Sequence, residues 1–284
     1  MNRTIAILVL LLAGAGLVAA AGAEPGQRVL PFGSDLAGDQ KLPLPWGVSL
    51  VGYWQDHGYD LTDLTASSAL DPRIAQVAGM VDPAQIDVEN EVAQVGVKGD
   101  VWLLPFLNVS ALLGYVDGQT DIDFGALRRQ AAAGTCACST AQELLALLDA
   151  GLDMDYSGFL YGGGATLAWG VGPVFGALNG IATWAALEDE ASVRAYIVRP
   201  IVGVRVDCFT LWTGAMYQDA EERHKGSLQV PGLGTVSYDV KLDEKEPWNW
   251  IVGAGYSFSE QWSLSVEGGF GERTQCEAAL ARRF

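Results

Sequence analysis

Histidine is scarce in this chain, with two residues in 284, and cysteine and methionine stand at four each. With only His57 and His224 to draw on, and no His near Cys136-Ala137-Cys138, the ligand set of a tetrahedral metal centre is missing. Basic residues are short as well: 17 Lys and Arg face 34 Asp and Glu. The formal charge of −17 argues against nucleic acid or an anionic lipid surface as the main partner. No run after residue 23 approaches the ~18 uninterrupted apolar residues of a spanning helix, so any crossing of a bilayer must be made by strands. Gly162-Gly163-Gly164 has no Lys-Ser/Thr after it, and there is no Gly-x-Ser-x-Gly nucleophile elbow. The three glycines read instead as relief of crowding or as points of strand curvature.

What the chain does have is a period of two. From Trp248 to Phe258 every second residue is apolar or aromatic, and after Ser259-Glu260-Gln261 the alternation resumes through Trp262, Leu264, Val266, Gly268 and Phe270. A third, shorter run ends at Phe284. Runs of about ten residues, aromatic at both ends and small or polar on the second face, fit strands with lipid on one side and a packed lumen on the other. The same pattern recurs at 46–56, 87–103, after Leu104-Pro105 to Tyr115, and at 155–169, 173–187, 193–206 and 209–218. The reading is all-β: a single antiparallel transmembrane β-barrel of about ten strands, with twelve as the other even count.

Polar stretches at 57–86, 117–153 and 219–246 are expected to be external loops, with Gly234 to Leu242 in the third extending as a hairpin beyond the membrane, and Leu104-Pro105, Gly170–Gly172, Asp207-Cys208 and Ser259–Gln261 short periplasmic turns. In the second stretch, Thr140 and Glu143 have capping-box spacing, Leu144, Leu145 and Leu148 form a stripe and Gly151 offers a stop. One short loop helix is expected there. Trp46/Trp54, Phe209/Tyr217, Trp248/Phe258 and Trp262/Phe270 share face parity and mark two aromatic girdles, whereas Phe106/Tyr115 and Phe175/Trp184 do not.

Ahead of the barrel, Arg3, the apolar stretch Ile5–Val18 and Ala21-Gly22-Ala23 read as a cleavable signal peptide over 1–23. Residues 24–45 read as a periplasmic leader or an inward-tucked segment, and 46–284 as the barrel. Cys136, Cys138 and Cys276 are open to a loop disulfide or to remaining thiols, while Cys208 falls in a turn on the other side.

With these features the chain resembles the Gram-negative outer-membrane β-barrel proteins over roughly 46–284, in architecture and without a family-specific motif. The resemblance implies location in the cell outer membrane, outer-membrane lipid and lipopolysaccharide as surroundings, and insertion machinery that reads the C-terminal strand. Ala278, Leu280 and Phe284 fit that strand, and Arg282 departs from it.

A barrel this narrow has no wide bore. Lys98, Asp100, Arg199, Arg205, Glu267 and Arg283 have inward parity and form a candidate ionic network that plugs the lumen, since buried charge must be paired. No catalytic, cofactor or metal residues are assigned. Ten-stranded omptin-like proteases pair acids with Asp-His at the rim. Here Asp121/Asp123 and Asp153/Asp155 supply acids, but Asp56-His57 and Asp219 with His224 lack that family's Asp-x-His spacing. The acids read more simply as a solvated rim. The functional expectation is a plugged or narrow barrel with a structural or surface-interaction role. A narrow solute pore and a rim hydrolase are the alternatives, and a secreted β-sandwich is the rival fold.

Overall fold

The computed structural model describes residues 30–37, 42–68, 75, 86–123, 152–187, 191–230 and 234–284. The expected signal peptide and loop helix, with Cys136 and Cys138, lie outside the described residues. Eleven strands form one antiparallel sheet: β1 (Trp46–Ser68), β2 (Asp87–Leu104), β3 (Leu107–Asp123), β4 (Leu152–Val171), β5 (Val174–Leu187), β6 (Ser192–Val206), β7 (Phe209–Val230), β8 (Gly234–Glu244), β9 (Trp248–Ser257), β10 (Trp262–Gly271) and β11 (Thr274–Arg283). Neighbouring strands pair in chain order except at β8, and β11 returns to β1 from Gly47↔Arg283 to Asp56↔Thr274, which closes the cylinder. The rival sandwich reading is thereby set aside.

The wall in the membrane has ten strands, because β8 lies above it. β8 and β9 run one after the other along the same edge of β7, β8 opposite Glu221–Val230 and β9 opposite Phe209–Tyr217. On its other edge β8 pairs with the upper half of β1, from Tyr59↔Glu244 to Ser68↔Val236, above the point where β11 stops. The β10–β11 hairpin therefore ends under β8. On the opposite wall β5–β6 is also short: its last pairs are Gly158↔Leu187 with β4 and Ser192↔Arg223 with β7. Among the described residues, ten strands below give way to six above: β1, β2, β3, β4, β7 and β8.

Side-chain polarity reverses at the same height. On β3 the odd positions Val109, Leu113 and Tyr115 face out below, followed by Asp117, Gln119, Asp121 and Asp123. The even positions pass from Asn108 and Ser110 to buried Val116 and Ile122. β7 repeats the switch, with Leu211 and Tyr217 outward below and Asp219, Glu221 and Arg223 outward above. Below the switch the strands are sorted for lipid outside. Above it they are sorted for water. The lipid-facing belt includes Val97, Leu113, Phe159, Val202, Leu211, Val252 and Val266, all exposed. From Trp46 to Trp54 inclusive β1 runs nine residues, the length of a tilted membrane strand.

The sequence reading of 57–86 as wholly loop is corrected here, since β1 runs on to Ser68. A β-bulge lies between Leu61 and Asp63, with Thr62 Oγ1 donating to the Lys241 carbonyl at 3.1 Å. The extra residue moves the inward set from Tyr59 and Leu61 to Leu64, which packs on the same core, and so breaks the alternation in the sequence. In the same way β7 continues past Gln218 to Val230. The parity mismatch at Phe175 also resolves, because its ring points inward, beside Gly203 and under Arg205.

The inward glycines of β4 are sterically required. A Cβ on Gly162 would lie 2.5 Å from the Ala182 carbonyl oxygen, and one on Gly164 2.5 Å from that of Gly180. Gly163, facing out, would meet nothing closer than 3.4 Å.

Candidate functional site

The chemistry of the molecule is concentrated in the lumen, which is stacked in layers. At the periplasmic mouth Arg283 Nη2 donates to Asp100 Oδ2 at 2.8 Å, and Asn108 Nδ2 donates to the same oxygen at 2.7 Å. Higher up, Arg199 Nη1 lies 3.1 Å from both Glu267 Oε1 and Glu277 Oε2. Its Nη2 donates to Asn179 Oδ1 at 3.3 Å, and Trp212 Nε1 donates to the second Glu267 oxygen at 2.6 Å. Each carboxylate in this layer has Arg199 within hydrogen-bond reach, and Glu267 has the Trp212 N–H besides, the condition for tolerating charge away from water.

Of the six residues singled out in the sequence, the structure thus joins Asp100 to Arg283 and Arg199 to Glu267. Lys98 lines a cavity in the middle of the lumen. Arg205 stands apart at the exposed periplasmic end, 6.0 Å from the Phe175 ring centroid. Glu277, the second carboxylate on Arg199, was missed by the sequence reading. Its inward parity on β11 was the available signal.

A third layer lies where β8 crosses the tip of β10–β11. Arg273 and Glu244 meet there at 3.1 Å, with side chains 1% and 3% exposed. Gln218 Nε2 donates to the other Glu244 oxygen at 2.9 Å, and Arg273 Nε donates to Gln275 Oε1 at 3.2 Å. Asn249 Nδ2 caps the Arg273 carbonyl at 2.8 Å. The His57 ring is 3.7 Å from Glu244. Both groups sit above the aromatic girdle, and burial sets their protonation: the Glu244 carboxyl is pushed up to about 7, and the His57 imidazole is pushed down to about 3 by burial and by Arg273. His57 is neutral at physiological pH, and Glu244 titrates near it.

Above these layers the lumen ends. Six strands converge on one apolar core of Tyr59, Leu61, Val88, Ile122, Met154, Ala220, Val240 and Leu242, the last two fully buried. Within it Glu222 is fully buried, contacts His224 Nε2 and accepts from Thr120 Oγ1 at 3.2 Å. The rings of Tyr156 on β4 and His224 on β7 lie 5.3 Å apart, bringing together the two strands that the short β5–β6 hairpin leaves unpaired. An eight-strand interior is already filled by side chains, so a six-strand arch leaves no bore.

Both histidines are therefore inside the barrel and 4% exposed, not in loops. Each meets one carboxylate, whereas Asp121, Asp123 and Asp155 are exposed, alternating with inward Ile122 and Met154. Among the described residues, Asp121, Asp123 and Asp155 are not brought to either histidine.

Outside, the belt is apolar between aromatic girdles and closes on itself, so no strand edge faces lipid there. Arg282 lies at the lower girdle, its guanidinium 5.4 Å from the Trp262 ring centroid and 4.8 Å from that of Phe284.

No family model matches the sequence, and no curated protein matches it. Solved structures do. An outer-membrane channel from Pseudomonas putida F1 is 14% identical, over 87% of this chain and 98% of that chain, with a TM-score of 0.39. OprG from Pseudomonas aeruginosa is 8% identical, over 86% and 99%, with a TM-score of 0.40. The protease OmpT from Escherichia coli is 9% identical, over 86% and 99%, with a TM-score of 0.37. This chain is a closed antiparallel β-barrel with an apolar outer belt. Likeness at this identity goes no further than the fold, and the role must be argued from the barrel's own residues. Cys208 and Cys276 are free thiols, Cys208 in the β6–β7 turn and Cys276 exposed on the outward parity of β11.

Proposed function

We propose that this outer-membrane barrel is sealed and serves a structural or surface-interaction role. The observation that carries the reading is the contraction from ten strands to six over a core in which Val240, Leu242, Thr120 and Glu222 are fully buried. Below that roof the Arg199 and Asp100 ion pairs brace the lumen.

Above the membrane the outer face has two characters. On β6, β7 and β8 the charges are paired: Arg223 grips Asp239 through two hydrogen bonds of 2.9 and 2.7 Å, and Arg194 contacts Glu221. On β1, β2 and β3 exposed Asp56, Glu89, Glu91, Asp117 and Asp121 stand just above the girdle, Glu91 accepting from Trp54 Nε1 at 2.8 Å. Lipopolysaccharide bridged through divalent cations is the surrounding that such a collar suits. The C-terminal strand, ending in Phe284 beside Trp46, presents Ala278 and Leu280 outward to the insertion machinery.

Conductance of the refolded protein in planar bilayers tests the reading. A sealed barrel gives no sustained ohmic steps, and a stable open conductance overturns it in favour of a solute pore.

A further inference from the structure

Between the ionic layer and the roof the lumen retains a cavity of about 140 Å3. Its lining is mixed. Hydrocarbon from Leu112, Val116, Leu160, Ile181 and Ile197 is interleaved with the polar groups of Lys98, Arg199, Glu277 and Asn179, Leu112 standing directly across the strand pair from Lys98. Most of the polar groups are occupied: Arg199 is held by two carboxylates, and Asn179 donates to Thr166 Oγ1 at 2.7 Å. Lys98 is half-buried, lines the space and makes no direct ion pair among the described residues, its charge acting on the nearby Glu277 carboxylate from beyond contact distance.

An ammonium group carries three donors and no acceptor, and set among hydrocarbon it is best satisfied by an anionic acceptor. Size narrows the choice further. An apolar protein cavity of roughly 150 Å3 accommodates a benzene ring. The geometry points to a binding site for a small monocarboxylate with one aromatic ring or a short chain, its carboxylate on Lys98 and its hydrocarbon against Leu112, Leu160 and Ile181. The site rests on the sealed-roof reading only in that the roof makes it a pocket.

Calorimetric titration of the detergent-solubilised protein with benzoate, benzyl alcohol and benzylamine tests the site, with protein-free micelles as the blank. Benzoate is expected to bind saturably and at least about tenfold tighter than benzyl alcohol, with benzylamine not binding. Lys98→Met weakens benzoate by roughly 10–100-fold and leaves benzyl alcohol unchanged. Leu160→Ala enlarges the apolar wall and shifts preference toward 2-naphthoate, an effect that partition into micelles does not give. Heat-modifiable migration identifies the variants that fold.

Absence of saturable heat above the blank overturns the site. So does benzylamine binding better than benzoate, or benzoate binding unchanged in folded Lys98→Met. Should Lys98→Met not fold, an unshifted preference in Leu160→Ala overturns it. A non-conducting barrel that binds none of the probes sinks this site alone, whereas a conducting one sinks the sealed-roof reading whatever the titration gives.

Discussion

Replacing Arg273 by Met should expose how the roof is fastened. The side chain is 1% exposed, its Nη1 is 3.1 Å from Glu244, and it ties the β10–β11 tip to the strand that crosses above it. Methionine keeps the length and leaves Glu244 buried with Gln218 as its remaining strong donor. Breaking one side of a buried ion pair costs about 3–5 kcal/mol, because the orphaned charge stays out of water. Removing both charges in Arg273→Met/Glu244→Gln should return stability to within about 1 kcal/mol of the parent, a coupling of at least about 2 kcal/mol.

The penalty should also depend on pH. Burial holds the Glu244 carboxyl up to about 7 with Arg273 beside it, and losing Arg273 pushes it further up, so the penalty grows as pH rises above 7 and fades toward pH 5.5, where the group is protonated with or without Arg273. Urea unfolding in lipid bilayers, followed by heat-modifiable migration and tryptophan emission, measures all four corners of the cycle. A coupling below about 0.5 kcal/mol, or a penalty flat in pH, would refute the fastening argument.

Other consequences follow from the same layers. Glu244 holds its proton more tightly folded than unfolded, so it adds stability as pH falls from about 7 to its ordinary 4.5. His57, held down to about 3, loses stability as pH falls below its ordinary 6.5. The two slopes oppose each other, so Glu244→Gln should make the barrel more acid-sensitive and His57→Gln less so, read as unfolding midpoints between pH 4.5 and 7. Leu242→Ala, opening a hole in a fully buried position, should cost about 2–5 kcal/mol in the same unfolding assay. Gly162→Val should abolish folding by driving a side chain into the Ala182 carbonyl, whereas Gly163→Ala folds normally in the migration assay. Val202→Arg in the lipid belt should destabilise by about 2–4 kcal/mol, against about 0–1 kcal/mol for Arg282 at the interface, measured by comparison with Arg282→Leu.

The membrane half of this fold was legible in the sequence because lipid outside and a packed lumen inside impose strict alternation, and Trp248–Phe258 and Trp262–Phe270 display it without interruption. Most of the half above the membrane was not. On β3 the apolar face changes sides between Tyr115 and Val116, and on β1 the bulge at Thr62 shifts the inward set by one residue, so the pattern looks broken where the strand is continuous. That Gly234 to Leu242 extends as a hairpin beyond the membrane was legible, but that Gly234–Glu244 bridges β7 to β1 depends on two other hairpins being short, a property of strand lengths far away in the chain. The inward parity of Asp100, Arg199, Glu267 and Arg283 was readable residue by residue, but which charge pairs with which is set by the curvature of the wall. His57 and His224 were placed in loops because the charged residues beside them face water while the rings face in.

The exchange of the two faces at one height is what makes a single sheet both a lipid-embedded ring and a closed water-exposed roof. Spin labels placed one at a time from Leu107 to Asp123 in a cysteine-free background of the bilayer-reconstituted protein test this directly. Labels at 109, 111, 113 and 115 should collide with oxygen and not with a water-soluble nickel chelate, labels at 117, 119, 121 and 123 should do the reverse, and the even positions should be shielded from both. Oxygen access continuing through 117–123, or chelate access at the even positions above 115, would contradict the account.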